Sequence, residues 1–415
     1  MSKTQWLFRQ LTRQLWFRSS LFAALAVVSA LVAIAVKPFI PESVSGLVGT
    51  DAVDKILGIL ASSMLAVTTF SLNIMVSAYN TASSSVTPRA TKLLLEDRTT
   101  QNVLATFIGS FLYSLVGIVA LGMGAYGSQG RAVLFFVTLI VIVMIVITLL
   151  RWIQHLSQFG RMAETSQRVE AATAAALASW LQDPCQGCSP WHGPGSEVMA
   201  MSPLLPDRVG YLQHMDLQKL STFADSNNLN LYLSVRPGAF LHLSFPLLYT
   251  RQTLSTEQVQ ELRDAFTFGE QRSFDQDPRF GLSVLSEIAS RALSPAVNDP
   301  GTAIDIIGRA VRLLCQQVEA GDGTTPYPQL FLRPADVGDL FDDIFTPIAR
   351  DGAALVEVHI RLQKALLALA QWKPALYAKE ARRHSRQALE RARQALTFSE
   401  DVRRLEELAT DIAER

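Results

Sequence analysis

The chain has 415 residues, of which 49% are hydrophobic and 18% charged, and its 37 basic and 37 acidic residues cancel to a formal net charge of zero. Zero net charge removes the electrostatic footprint of a nucleic-acid binder, and the apolar content describes a membrane composition diluted by a soluble part. Three cysteines, Cys185, Cys188 and Cys315, are too few for a disulfide framework and suit a domain in the reducing cytosol.

Residues 1–18 open the chain with an amphipathic pattern. Within 4–17, Leu7, Phe8, Leu11 and Leu15 form an apolar face, Arg9 and Arg13 lie off it, and Trp6 and Trp16 suit headgroup height. Such a helix lies on a membrane surface or docks on the soluble part. No signal-peptide cleavage pattern precedes the first apolar run, so that run reads as a retained span. Four runs are long enough to cross a bilayer, at 19–36, 56–79, 102–124 and 132–152.

The second run is the unusual one. No charge stands between Lys55 and Arg89, and a helix over 56–88 is about 50 Å long, more than the roughly 30 Å of hydrocarbon it would cross. Ser62, Thr69, Asn73, Ser77 and Asn80 fall on one stripe at about 100° per residue, with Ala66 between them and an apolar face opposite. The stripe either lines a wet path or seals a seam with a neighbouring helix. The third run carries Gly109, Ser110, Ser114 and Gly117, which permit close approach and place it beside the second. The fourth is apolar on all sides, as an outer, lipid-facing helix is. Apart from Arg151 at the end of the fourth, the apolar runs hold no acid or base, which argues against a proton relay. Arg and Lys cluster before the first run, after the second and after the fourth, so both termini are expected in the cytoplasm.

Residues 153–195 read as a helix continuing the fourth span to 182, then a Pro/Gly-dense loop, DPCQGCSPWHGPG. Residues 196–250 change to a strand-like period broken by prolines, with one helix capped by Asp216, and form a small β-rich module. Residues 251–415 read as helical throughout, opened by a Ser255/Gln258 capping box and closed by charged Ala/Leu-rich helices suited to antiparallel packing or to coiled coils between subunits. The expected fold class is therefore a membrane α-helical part with four transmembrane helices plus a cytosolic α+β domain, mostly helical.

The densest polar motif is FTFGEQRSFDQDPRFG (266–281), followed by RALSPAVNDPGTAID (291–305). Asp277-Pro278 and Asp299-Pro300 each read as a cap with Pro in the first turn. If the two loops meet, they offer a cation Asp275, Asp277 and Asp299, or a phosphate Arg272, Arg279 and helix N-termini. Otherwise Gln271, Arg272, Asp275, Asp277 and Arg279, with Ser294, Asn298 and Asp299, make a capping and Arg–Asp network. Cys185 and Cys188, with His192 near, are half a zinc site or a redox pair at most, since no second ligand pair follows. Neither a metal nor a cofactor is expected. With no GxSxG, HExxH or Walker A motif and six scattered histidines, no enzyme is expected either.

Four stretches carry a resemblance: VTPRATKLLLEDRTTQNVLATFIGSFLYSL (86–115), RVGYLQHMD (208–216), RPGAFLHLSFPL (236–247) and FGEQRSFDQDPRFG with RALSPAVNDPGTA. Together they resemble the predicted bacterial membrane protein family known as domain of unknown function 2254, over roughly residues 15–320. The resemblance implies an inner-membrane, multi-pass protein and no settled activity. The chain departs from that pattern at Ser244, where the resemblance implies a glycine, and in the residues before Gly210-Tyr211. The function expected is a homo-oligomeric, channel-like or transport-related assembly in contact with membrane lipid. Its second span would line the axis and its cytosolic domain would form a ring or vestibule. The alternative is a non-transporting scaffold or sensor whose cytosolic domain binds a partner or small ligand.

Overall fold

The computed structural model describes residues 3–12, 14–35, 52–156, 161–192, 201–318 and 324–413. The chain forms two compact units, Leu7–Thr165 and a second made of Ser166–Arg415 with Met1–Trp6.

The expected surface helix over 4–17 is shorter than its periodicity suggested. Helix α1 (Lys3–Thr12) stops early, and Leu15 already belongs to α2 (Leu15–Ala35). A turn in which the Gln14 amide donates to Leu11 O separates them. Leu7, Phe8 and Leu11 are exposed. The second run forms α3 (Ala52–Ser85), 34 residues and about 51 Å long. A short α4 (Thr91–Leu95) leads to α5 (Arg98–Gly122) and α6 (Gly127–Leu156). Among the described residues, Ala52–Ser83, Arg98–Gly122 and Gly130–Leu156 have the length and hydropathy for a membrane crossing. The first run is helical as α2.

Helix α5 is the centre of the membrane unit and packs on α2, α3 and α6. Its small residues serve two neighbours rather than one. A Cβ on Gly109 would lie 3.3 Å from Phe22 O in α2, while one on Gly117 would lie 3.0 Å from Leu57 Cδ1 in α3. Val53, Leu57, Tyr113, Ala120, Tyr126 and Leu134 form one apolar cluster, and Met64, Val103, Phe107, Ile145 and Trp152 another. Trp152 Nε1 donates to Ser71 Oγ at 3.0 Å, which ties α6 to α3. Asp97 caps α5 through Thr100 N at 2.8 Å and also lies 2.9 Å from His155 Nε2, joining the start of α5 to the end of α6. Helix α6 leaves Leu139, Ile140, Val143, Ile147 and Leu150 exposed, as an outer span does.

The fourth span was expected to continue to 182. Instead α6 ends at Leu156 and α7 runs over Met162–Gln182, with 157–160 outside the described residues. The second unit holds eight strands among the described residues: β1 (Cys188–Pro190), β2 (Ser202–Leu204), β3 (Gly210–Met215), β4 (Leu231–Leu233), β5 (Phe240–Leu241), β6 (Leu248–Thr250), β7 (Phe266–Gly269) and β8 (Tyr327–Leu332). They make a five-stranded sheet in the order β1-β8-β4-β6-β2 and a three-stranded sheet in the order β5-β3-β7. Strand β8 pairs in parallel with both β1 and β4, and the remaining pairs are antiparallel. The small β-rich module expected at 196–250 is completed by three strands from outside it. Five strands of two or three residues cannot hold a sheet alone; the longer β8 supplies a backbone edge to both sides. The loop expected at 183–195 contributes β1, while residues 193–195 lie outside the described residues.

Leu231, Leu233, Leu330 and Leu332 bury one sheet face against Leu220, Phe223 and Ala224 of α8 (Leu217–Asn227). Asp216 caps α8 by accepting from Lys219 N at 3.0 Å, and the Ser255/Gln258 box opens α9 (Thr256–Arg263). A helical layer follows: α10 (Pro278–Ala292), α11 (Pro300–Leu314), α12 (Val337–Asp351), α13 (Val356–Trp372), α14 (Pro374–Ala395) and α15 (Ser399–Ala413). Phe341 and Phe345 are fully buried between α12 and its neighbours, worth roughly 2–3 kcal/mol each. The last three helices pack on one another inside the chain, through Ser385 Oγ to Gln363 Oε1 at 2.6 Å, Arg393 to Glu406 at 2.7 Å, and a cluster of Leu389, Ala392 and Leu405. These contacts are antiparallel packing within the chain, one of the two arrangements expected.

Candidate functional site

The stripe on α3 faces away from its own bundle. Val53, Leu57, Met64, Ser71 and Ala82, spaced by whole numbers of helical turns at 4, 7, 7 and 11 residues, are buried, while Ser62, Ala66, Thr69, Asn73, Ser77 and Asn80 on the other side are exposed. The seam with α5 exists, but the apolar face makes it. From Ser62 to Asn80 the stripe runs about 27 Å, close to the hydrocarbon thickness. Its hydroxyls bond back to the helix, Ser62 Oγ to Gly58 O and Thr69 Oγ1 to Leu65 O, both at 3.0 Å. The Asn73 and Asn80 amides have no hydrogen-bond partner among the described residues.

The two polar loops of the second unit do not meet. They lie at opposite ends of α10, whose 15 residues separate them by about 22 Å. Asp277 is buried, caps α10 by accepting from Phe280 N at 3.0 Å, and receives Arg272 at 2.7 and 2.9 Å. Arg279 reaches Asp343 and Asp339, each at 2.7 Å. Ser273 Oγ donates to Asp275 at 3.1 Å, Gln276 Oε1 accepts from Met215 N, and the Gln271 carbonyl accepts from Gln213 Nε2. At the far end, Asp299 caps α11 through Thr302 N and Oγ1 at 3.1 and 2.6 Å, and those bonds hold its carboxyl below the usual range. Asn298 takes φ 49°, a left-handed turn position that Asn tolerates, and Ser294 Oγ bonds back to Arg291 O. A shared cation or phosphate site across both loops is thereby replaced by two separate capping networks.

What the first loop does meet is the turn after β4. Arg236, Pro237, Gly238 and Phe240 face Arg272, Asp277 and Arg279 across a cleft of about 500 Å³, closed below by Arg333–Asp336. Gly238 has φ 98°, and a Cβ there would run into the Asp277 carboxylate, so only glycine permits this approach. Arg236 donates from Nη2 to Pro184 O at 2.6 Å and to Arg333 O, and burial pulls its pKa below the ordinary guanidinium value. Reading the sequence for polar density misses Arg236, Gly238 and Arg333. The first two lie in the RPGAF stretch quoted for resemblance, and Arg333 carries no local signal.

Cys188 sits in β1, where burial pushes its thiol up to about 12, and burial raises Cys185 as well. Burial favours the protonated form of both thiols. Among the described residues no cluster of three His, Cys, Asp or Glu side chains is placed to hold a metal.

A family model described as predicted membrane protein, domain of unknown function 2254, matches residues 12–368. Uncharacterized proteins of Mycobacterium tuberculosis strain CDC 1551 and of Mycobacterium bovis are each 26% identical over 266 residues, covering 61% of this chain and 50% of theirs. The chain spans about half the length of these curated relatives. No solved structure matches it.

Proposed function

The chain belongs to this family of predicted membrane proteins, and from that premise we propose a homo-oligomeric, channel-like assembly in which α3 of each subunit lines a shared polar path. One observation carries the reading: an uncharged polar stripe about 27 Å long stays exposed on a helix whose opposite face is already packed. In hydrocarbon, the Asn73 and Asn80 amides need a partner, and unpaired polar groups there cost several kcal/mol. Copies related by a symmetry axis give them either water or one another. A path of hydroxyls and amides without charge passes small solutes with modest selectivity. In this proposal α2 is a fourth span, both termini are cytoplasmic, the membrane is the bacterial inner membrane, and the protein is no enzyme.

The test is flux through proteoliposomes holding the purified protein, together with its mass in detergent. Expected are a mass of several subunits and an ion flux that Asn73→Leu or Thr69→Leu alters severalfold. An oligomer that passes nothing under voltage, tension or osmotic gradient would sink the channel reading and favour the non-transporting scaffold or sensor.

A further inference from the structure

We propose that the cleft between Arg236 and Arg333 binds a small organic phosphate. Four guanidiniums line it, and two are already occupied: Arg272 pairs with Asp277 and Arg279 with Asp339 and Asp343. The other two have no carboxylate partner among the described residues. The hydrogen bonds of Arg236 to described residues go to main-chain carbonyls, and its Nη1 is buried with no hydrogen-bond partner among the described residues. The Arg333 side chain is exposed and makes no hydrogen bond to a described residue. The acids nearest them are engaged elsewhere. Asp183 accepts from the Cys185 and Gly187 amides, and Asp336 caps α12 by accepting from Gly338 N at 2.8 Å. The Pro184 and Arg333 carbonyls fix the Arg236 head in advance, which lowers the entropy lost on ligand binding.

Size and shape narrow the ligand. A cleft of about 500 Å³ suits a metabolite rather than a bare ion. Phe240 and Phe245, 59% and 43% exposed, line it as an aromatic surface beside a charged one in which the four arginines stand with Asp277, Asp336 and Asp339. A phosphate joined to a planar apolar group matches both, because guanidinium forks fit phosphate oxygens and aromatic faces stack on flat rings. A second charged groove of this unit, lined by Glu170, Arg309 and Arg312, has its guanidiniums paired to Glu170 at 2.6 and 2.8 Å.

The inference stands apart from conduction, since binding is read without flux. Isothermal titration of the full-length protein in detergent would use phenyl phosphate as probe, with inorganic phosphate and phenol for comparison. Expected is saturable binding of phenyl phosphate, weaker binding of inorganic phosphate and none of phenol. Arg333→Ala, at an exposed position, should weaken phenyl phosphate by about tenfold or more, and Arg236→Lys likewise. Arg312→Ala should leave it unchanged. Failure of phenyl phosphate to bind at millimolar concentration overturns the assignment, as does binding indifferent to Arg333→Ala.

Discussion

Asn73 in the membrane unit and Asp277 in the second unit are both polar groups on long apolar helices or at their ends, and they end in opposite states. Asp277 is 3% exposed, with each oxygen accepting a charged or backbone donor. Asn73 is exposed and unbonded among the described residues, though hydrocarbon punishes an open amide more than water does. A polar residue that the fold has saturated explains stability, and one that the fold has left open asks for something outside the fold. The arginines of the cleft repeat the contrast, Arg272 paired to a carboxylate and Arg236 with a buried Nη1 that no described residue bonds.

The sharpest way to break the comparison is Asp277→Ala. It removes a cap and strands Arg272, so the unfolding temperature of the full chain in detergent should fall by an amount equivalent to at least about 3 kcal/mol. A fall of a few tenths would mean that Asp277 is not saturated by the fold after all.

Acid is the next largest effect. His359 is fully buried, and burial, with the Arg391 charge adding to it, lowers its pKa from 6.5 to about 4. The unfolded chain then takes up the proton that the folded chain refuses, so its contribution is complete above pH 6.5 and disappears as pH falls to about 4. The loss is roughly 3 kcal/mol from this residue. Thermal unfolding followed from pH 7 to 4.5 should show it, and His359→Leu should flatten that part of the profile.

Asp299→Ala tests the same Asp-Pro motif without an arginine behind it. Only the cap is lost, so about 1 kcal/mol is expected from the same melting experiment, well short of Asp277→Ala. Asn73→Leu should change stability least, within about 0.5 kcal/mol, because no described partner loses a bond. A large destabilisation by Asn73→Leu in the isolated subunit would erase the contrast.

Much of the local structure was legible beforehand. The Asp216, Ser255, Asp277 and Asp299 caps all form where their spacing placed them, because a cap is a contract between residues two or three apart. The helix of the second run was legible in the same way, since length, charge and period are local properties. The cleft was not. Its arginines are separated by about a hundred positions, and nothing in RPGAF alone says that Gly238 will lie against Asp277.

By itself, the sequence determined the apolar spans, the polar stripe from Ser62 to Asn80, the helix caps and the family. Each depends on residues close in the chain or on composition. Only the tertiary structure decided that Cys188–Pro190 would pair with Tyr327–Leu332 nearly 140 residues away, that α5 would divide its glycines between α2 and α3, and that the 271–279 and 294–299 loops would be held apart by α10. It also decided which face of α3 stayed open. Backbone pairing and close packing draw on generic groups, amides and small side chains, that leave no mark of their partner along the chain.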